Sequence, residues 1–131
     1  SHIVAVLDWE MATIGDPLMD LGTTLAYWVQ PDDPAEFQAA SMGLTNLPGN
    51  FSRTQLVHEY ALRSGREVNN IVFYYVYGLF KNAVIVQQIY ARYKKGLTSD
   101  ARFGQLPLLI RAEGIAAVQA IEKNRIDQLA H

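Results

Sequence analysis

Cysteine is absent from the chain, which removes disulfides and thiol chemistry and fits a reducing, cytoplasmic setting. A basic surplus is absent too. Eleven Lys and Arg stand against 13 Asp and Glu, a net charge of −2, so nothing in the composition marks a nucleic-acid partner. No apolar run reaches the ~20 residues that a bilayer span requires. The most apolar stretch, Ile71–Phe80, is followed by Lys81, Asn82, Gln87 and Gln88. The opening run, Ile3–Leu7, is too short for a secretory signal and ends at an acid. His58 has no second His or Cys nearby and is not read as a zinc ligand. Repeats, low-complexity segments and linker-like stretches are also missing. The 131 residues therefore read as one domain or part of one, and 50% are apolar, ample for a core.

What is present is concentrated between Ile3 and Gly22. Five apolar residues, Ile3–Leu7, have the length and composition of a short strand buried on both faces. The run stops at Asp8, and Asp16 and Asp20 follow. Asp16 precedes Pro17, a strong helix start, because the carboxylate caps and proline suits the first helical position. The local pattern is strand, acid, loop, capped helix. An acid where a strand gives out either bonds to nearby backbone N–H groups or offers oxygen to a hard cation such as Mg²⁺.

The strings Val-Leu-Asp-Trp-Glu, Gly-Asp-Pro and Asp-Leu-Gly resemble the second signature of the aminoglycoside phosphotransferase/choline kinase family. The look is nearest to the branch found beside, or fused to, acyl-CoA dehydrogenases. These are small-molecule kinases whose fold is similar to that of protein kinases. The resemblance implies that Asp8 binds Mg²⁺ and the nucleotide, as does the acid of the protein-kinase Asp-Phe-Gly motif. It implies that Asp20 braces a catalytic loop and that Asp16 supports the site as a helix cap. Glu10 either hydrogen-bonds behind the metal site or forms a plain surface salt bridge. For Asp20 the residues alone offer a second role, stabilisation of the helix by its charge near the N-terminus.

The family's first signature, His-Gly-Asp-x-x-x-x-Asn, normally lies just upstream of the strand and carries the catalytic base. Only seven residues precede Asp8, so no residue of this chain is assigned as the base. A Gly-rich phosphate cover and a strand with an ATP-binding Lys are missing as well. The chain is therefore expected to be the C-terminal part of an ATP-dependent phosphotransferase acting on a small-molecule hydroxyl. It is expected to be inactive alone and to have the missing N-terminal part as its partner. The resemblance points to hydroxyacyl or other metabolites as acceptors rather than to an aminoglycoside. The competing expectation is a non-catalytic helical interaction or scaffold domain derived from a kinase. Ser1-His2 is either native or an expression scar. A lone strand at Ile3–Leu7 must pair with an upstream piece, pair with a second copy in a homo-oligomer, or fray.

The remainder reads as helices. Pro17 to about Val29 carries Leu18, Leu21, Leu25 and Trp28 on one stripe. Gln30–Pro34 is a turn, Ala35–Ser41 a short helical piece, and Gly43–Phe51 an irregular loop, either a surface linker or a wall of the acceptor site. Ser52 and Gln55 form a capping box for a helix that Gly65 ends. Asn69 or Asn70 caps the longest helix, which runs to about Lys95; Gly78 suits close approach by another helix, and Gly96 ends it. Tyr74, Tyr75, Tyr77, Tyr90 and Tyr93 are core and interface residues or a ligand cage, with Tyr90 and Tyr93 best placed for the latter. After a connection at Leu97–Gln105, Pro107 opens a final helix with Glu113, Glu122, Lys123 and Arg125 on a solvated face, and Asp127–His131 should fray. The expected architecture is mostly α. Four main helices surround the Ile71–Ile89 helix, with one short N-terminal strand. Residues 1–131 form a single subdomain, the helical part of the larger lobe of a kinase-like α+β fold.

Overall fold

The structure, a computed structural model, describes residues 2–40 and 43–129. Ser41, the last residue of the expected short helix, and Ala130 and His131 of the expected frayed tail lie outside the described residues. Helices α1 (Pro17–Tyr27), α2 (Ala35–Ala40), α3 (Arg53–Ser64), α4 (Ile71–Lys94) and α5 (Leu106–Lys123) form the body. Single turns of 3-10 helix lie at Trp9–Met11 and Ala101–Gln105. The chain is mostly helical, as in the helical lobe of a kinase-like fold.

The strand expected at Ile3–Leu7 does not form, and no strand occurs among the described residues. The reason is that a strand needs a neighbour to take its N–H and C=O groups, and the described residues supply none. Ile3, Val4 and Leu7 are 89%, 95% and 80% exposed. The apolar run thus behaves as the unpaired alternative required.

Helix α4 is the axis; among the described residues α1 and α5 flank it most closely, the Ala101–Gln105 turn touches it, and α2 packs on α5. The expected ring of four helices is therefore corrected to a three-helix layer with α2 and α3 at its edge. Helix α4 turns Tyr75, Gly78, Leu79, Asn82 and Val86 inward, one stripe at helical spacing. Helix α5 answers with Ala112, Ala116 and Ala120, small residues four apart that let the two axes approach. Leu25 of α1 and Leu79 of α4 are fully buried, each contributing about 2 kcal/mol of hydrophobic stabilisation.

At the α1–α4 crossing the backbones touch. A Cβ on Gly22 would overlap the Tyr74 carbonyl, and one on Gly78 would overlap the Gly22 carbonyl. The expected close approach at Gly78 is present, and Gly22 is its unforeseen counterpart. The capping box at Ser52–Gln55 is present, as are the left-handed stops at Gly65 (φ 66°) and Gly96 (φ 70°). Asn70 occupies the cap of α4 in a left-handed conformation, but its side chain makes no capping bond. Asp100 caps the 3-10 turn by accepting from Arg102 N at 3.0 Å. Arg102 in turn holds that carboxyl below the usual carboxylate range.

The other edge is organised by Arg53, which is completely buried. Its guanidinium pairs with buried Asp33 and donates to the carbonyls of Trp28 (2.9 Å) and Ile126 (2.9 Å). It also lies 5.0 Å from the Tyr75 ring centroid and 6.0 Å from that of Phe37. Burial pushes the Asp33 carboxyl up while the Arg53 charge opposes it. The four N–H groups left over at the start of α3 all find side chains, Ser52 N donating to Gln55 Oε1 at 2.8 Å. Arg53 N donates to Gln30 Oε1, Thr54 N to Asp127 Oδ2 (3.2 Å) and Gln55 N to Ser52 Oγ (3.2 Å). The described part of the tail, residues 127–129, therefore docks rather than fraying: Leu129 is buried, as is Ile126 just before it.

Glu113 also departs from the sequence reading. It lies buried against Asn82, which donates to its Oε1, while its Oε2 has no partner among the described residues. Burial pushes its carboxyl up to about 7, against the pull of the Asn82 bond. The unfolded chain releases this proton at lower pH than the folded chain does. The buried acid's contribution to stability is therefore greatest in acid and is lost as pH rises through about 7.

Two measurements check this packing. Gly22→Ala should lower unfolding free energy by about 2 kcal/mol or more in urea titration, because backbone overlap outweighs a helix-propensity gain of ~1 kcal/mol. Glu113→Gln should stabilise the chain at pH 8 by roughly 2–3 kcal/mol, leave it nearly unchanged at pH 5, and flatten the melting-temperature profile between them.

Candidate functional site

Residues 2–16 form an exposed arm ahead of α1. The arm closes one 3-10 turn at Trp9–Met11, where Ala12 N donates to Trp9 O at 3.0 Å. Asp8 sits at the head of that turn with φ 60° and ψ 40°. A left-handed backbone is uncommon for any residue with a Cβ, and Asp and Asn are among the few that adopt it. Such conformations gather at functional sites. No described residue bonds to the Asp8 carboxylate, which faces solvent. Glu10, two residues on, is exposed as well.

Asp16 is the cap the sequence implied. Its Oδ1 accepts from Leu18 N at 2.9 Å, and Pro17 opens the helix. Its Oδ2 accepts from the Tyr74 hydroxyl at 2.6 Å, a contact 58 residues distant that no local pattern announced. The Tyr74 bond, the Leu18 bond and the Arg66 charge, in that order, hold the Asp16 carboxyl below its usual range; the same bond raises the Tyr74 hydroxyl.

Asp20 lies in the first turn of α1, exposed, with its carbonyl accepting from Thr24 Oγ1 at 3.0 Å. It forms part of the wall of a groove of about 760 Å³ between α1 and α3, together with Thr24, Phe51, Glu59, Tyr60 and Arg63. Asp8 and Glu10 do not line this groove. The described residues bring no three Asp, Glu, His or Cys side chains together as a metal site. The acids therefore stand along one arm and one helix turn rather than in a cluster.

The five tyrosines fall into separate groups, of which Tyr90 and Tyr93 meet each other. Tyr75 is core, Tyr77 stacks on Phe73 at 6.5 Å, and Tyr93 sits 6.4 Å from both Tyr90 and Phe103. The Gly43–Phe51 loop is tied to the end of α1. Thr45 Oγ1 accepts from Val29 N (3.0 Å) and donates to Val29 O (2.9 Å), and Trp28 Nε1 donates to Phe51 O (2.8 Å).

A model of the phosphotransferase enzyme family matches residues 1–55, which take in the arm, α1, α2 and the start of α3. Over these residues the chain is similar to the phosphotransferase enzyme family. It is similar to acyl-CoA dehydrogenase family member 10 of Mus musculus, 32% identical over 103 residues. It is likewise similar to family member 11 of Homo sapiens (33% over 104 residues) and of Gallus gallus (34% over 107 residues). These alignments cover 76–77% of this chain and 10–13% of the relatives' lengths, so the chain spans about a tenth to an eighth of each. No solved structure matches. No helix is long and apolar enough to cross a membrane among the described residues.

Amide hydrogen exchange checks the arm. Val4–Leu7 should exchange close to the rate of an unstructured peptide while α4 around Leu79 is protected by many orders of magnitude. Protection of Val4–Leu7 in a monomeric sample would show that the run has found a partner surface.

Proposed function

We propose that this chain is the C-terminal part of an ATP-dependent phosphotransferase whose acceptor is a hydroxyl on a small molecule. The observation that carries the proposal is Asp8, a solvent-facing carboxylate on a left-handed backbone within the family-matching segment, unengaged by any described residue. Its chemistry suits a hard divalent cation, which takes oxygen ligands from one or two carboxylates and from substrate phosphates. Asp8 would hold Mg²⁺, with Glu10 near enough in sequence to hydrogen-bond behind it. A cation bound there would neutralise charge on the nucleotide phosphates. The chain's own part is to present Asp8, keep Asp16 occupied as a cap, and offer Asp20 toward an adjoining catalytic loop. The base that takes the acceptor's proton belongs to that loop, upstream of this sequence. The names of the relatives speak of acyl-CoA dehydrogenases, which favours a hydroxyacyl metabolite or a related molecule as acceptor.

A non-catalytic helical module is the second reading. It is favoured by the separation of the acids, none of which meets two others. One substitution separates the two. In the protein carrying this chain together with its upstream catalytic loop, Asp8→Asn should lower Mg²⁺-dependent ATP turnover by about 10²–10³-fold or more. Its melting temperature should stay within about 2 °C, because the side chain is exposed and unengaged. Near-normal turnover at saturating Mg²⁺ would refute the metal role.

A further inference from the structure

The arm meets the helical body through very little. Among the described residues, one hydrogen bond joins residues 2–16 to a helix other than α1, the bond from the Tyr74 hydroxyl to Asp16. We infer that Tyr74 is a positioning residue for the acidic arm: by holding Asp16, its hydroxyl fixes the direction in which Asp8 and Glu10 leave the body. This role in turnover rests on the phosphotransferase reading above.

The geometry is that of a two-point clamp. One oxygen of the Asp16 carboxylate is fixed to the α1 backbone through Leu18 N at 2.9 Å, the other to α4 through Tyr74 at 2.6 Å. A carboxylate bonded to two helices cannot rotate about its own axis, and the backbone that leaves it inherits that orientation. Bonds to an ionised acceptor are short and roughly twice as strong as neutral ones, and the 2.6 Å distance has that character. The helices themselves do not slide, because Gly22 of α1 presses against the backbone of Tyr74. The ring is held as well, with Phe73 edge-on at 5.3 Å. Only Thr13, Ile14 and Gly15 separate the clamp from the closed turn that begins beside Asp8, a spacer of at most about 10 Å. The direction set at Asp16 thus acts on Asp8 across a short spacer.

Tyr74→Phe removes one oxygen and leaves the ring in place. In the 131-residue chain, ¹⁵N heteronuclear NOE values at Ile14–Asp16 should fall toward those of a mobile peptide, with α4 and α5 unchanged. Asp16→Asn keeps a capping side chain but weakens the charged bond, and should give the same loss; the double variant should add nothing further. Unchanged NOE values at Ile14–Asp16 in Tyr74→Phe would overturn the inference. In the protein with its upstream catalytic loop, Tyr74→Phe should lower kcat about tenfold with KM for the nucleotide within about twofold, as a loss of alignment does. A bond that merely closes the α1–α4 seam would move the melting temperature and leave kcat alone, which would also overturn it. If Asp8→Asn abolishes turnover while Tyr74→Phe does not affect it, the positioning role falls and the phosphotransferase reading stands. If Asp8→Asn leaves turnover intact, that reading falls and the positioning role falls with it.

Discussion

The contact between Gly22 and the turn of α4 around Tyr74 and Gly78 is the constraint on which the remainder of the molecule depends. Two helices whose carbonyls and Cα atoms touch have only one relative placement, since any side chain between them forces the axes apart. That placement puts Leu21 and Leu25 against Leu79 and Tyr75, and the core is built on them. It also brings the first turn of α1 beside Tyr74, so the capping carboxylate can reach a hydroxyl 58 residues away. A hydrogen bond of that separation is improbable on chain entropy alone. It forms because the crossing has already been fixed by packing.

A second constraint works at the opposite edge by different physics. Arg53 opens α3, a position where a positive charge opposes the helix dipole. Its burial makes sense only with Asp33, two carbonyls and two aromatic faces around it. A buried ion pair need not stabilise the fold relative to a hydrophobic replacement, but removing one partner strands the other at a cost of about 3–5 kcal/mol. The network therefore specifies where α3 and the Ile126 segment dock, and it turns a loop and a tail into parts of the core. Hydrophobic faces hold α1, α4 and α5 together; a single cation gathers what those faces leave at the edge.

Local rules made the helices legible. Asp16 before Pro17, Ser52 with Gln55, and glycines at 65 and 96 set starts and stops because capping acts over a few residues. The near-continuous apolar run that opens at Ile71 identified α4 as the central helix, and Gly78 suited a point of close approach. What could not be read depended on distant partners. Ile3–Leu7 has strand chemistry, yet strand formation is a property of a pair. Glu113 has a charged residue, Arg111, two positions before it, and only the α4–α5 seam shows that it faces Asn82. Arg53 did leave a signal, a basic residue at the wrong end of a helix twenty residues from a proline-flanked acid. The Tyr74–Asp16 bond left none. The family segment was visible in its strings of acids, and the structure adds which of them the fold itself uses.

That last distinction bears most directly on chemistry. An aspartate whose oxygens are taken by protein donors is occupied in keeping the fold, and binding an ion there would mean breaking those bonds. Asp16, Asp32, Asp33, Asp100 and Asp127 are all engaged in this way, by Leu18 and Tyr74, by Gln30, by Arg53, by Arg102 and by Thr54. Asp8 and Asp20 are the aspartates whose carboxylates accept no bond from a described residue. Both fall inside the segment that matches the phosphotransferase family, and both lie within reach of the one clamp that orients that segment. Folding thus consumes the acids it needs and leaves these two solvated. An unengaged carboxylate on a free tether pays the full entropic penalty of meeting a cation and a nucleotide; anchoring the tether at Asp16 by a charged hydrogen bond reduces the volume that carboxylate samples. Orientation at Asp16, rather than burial at Asp8, is the means by which this fold can prepare a site without spending its reactive groups on its own stability.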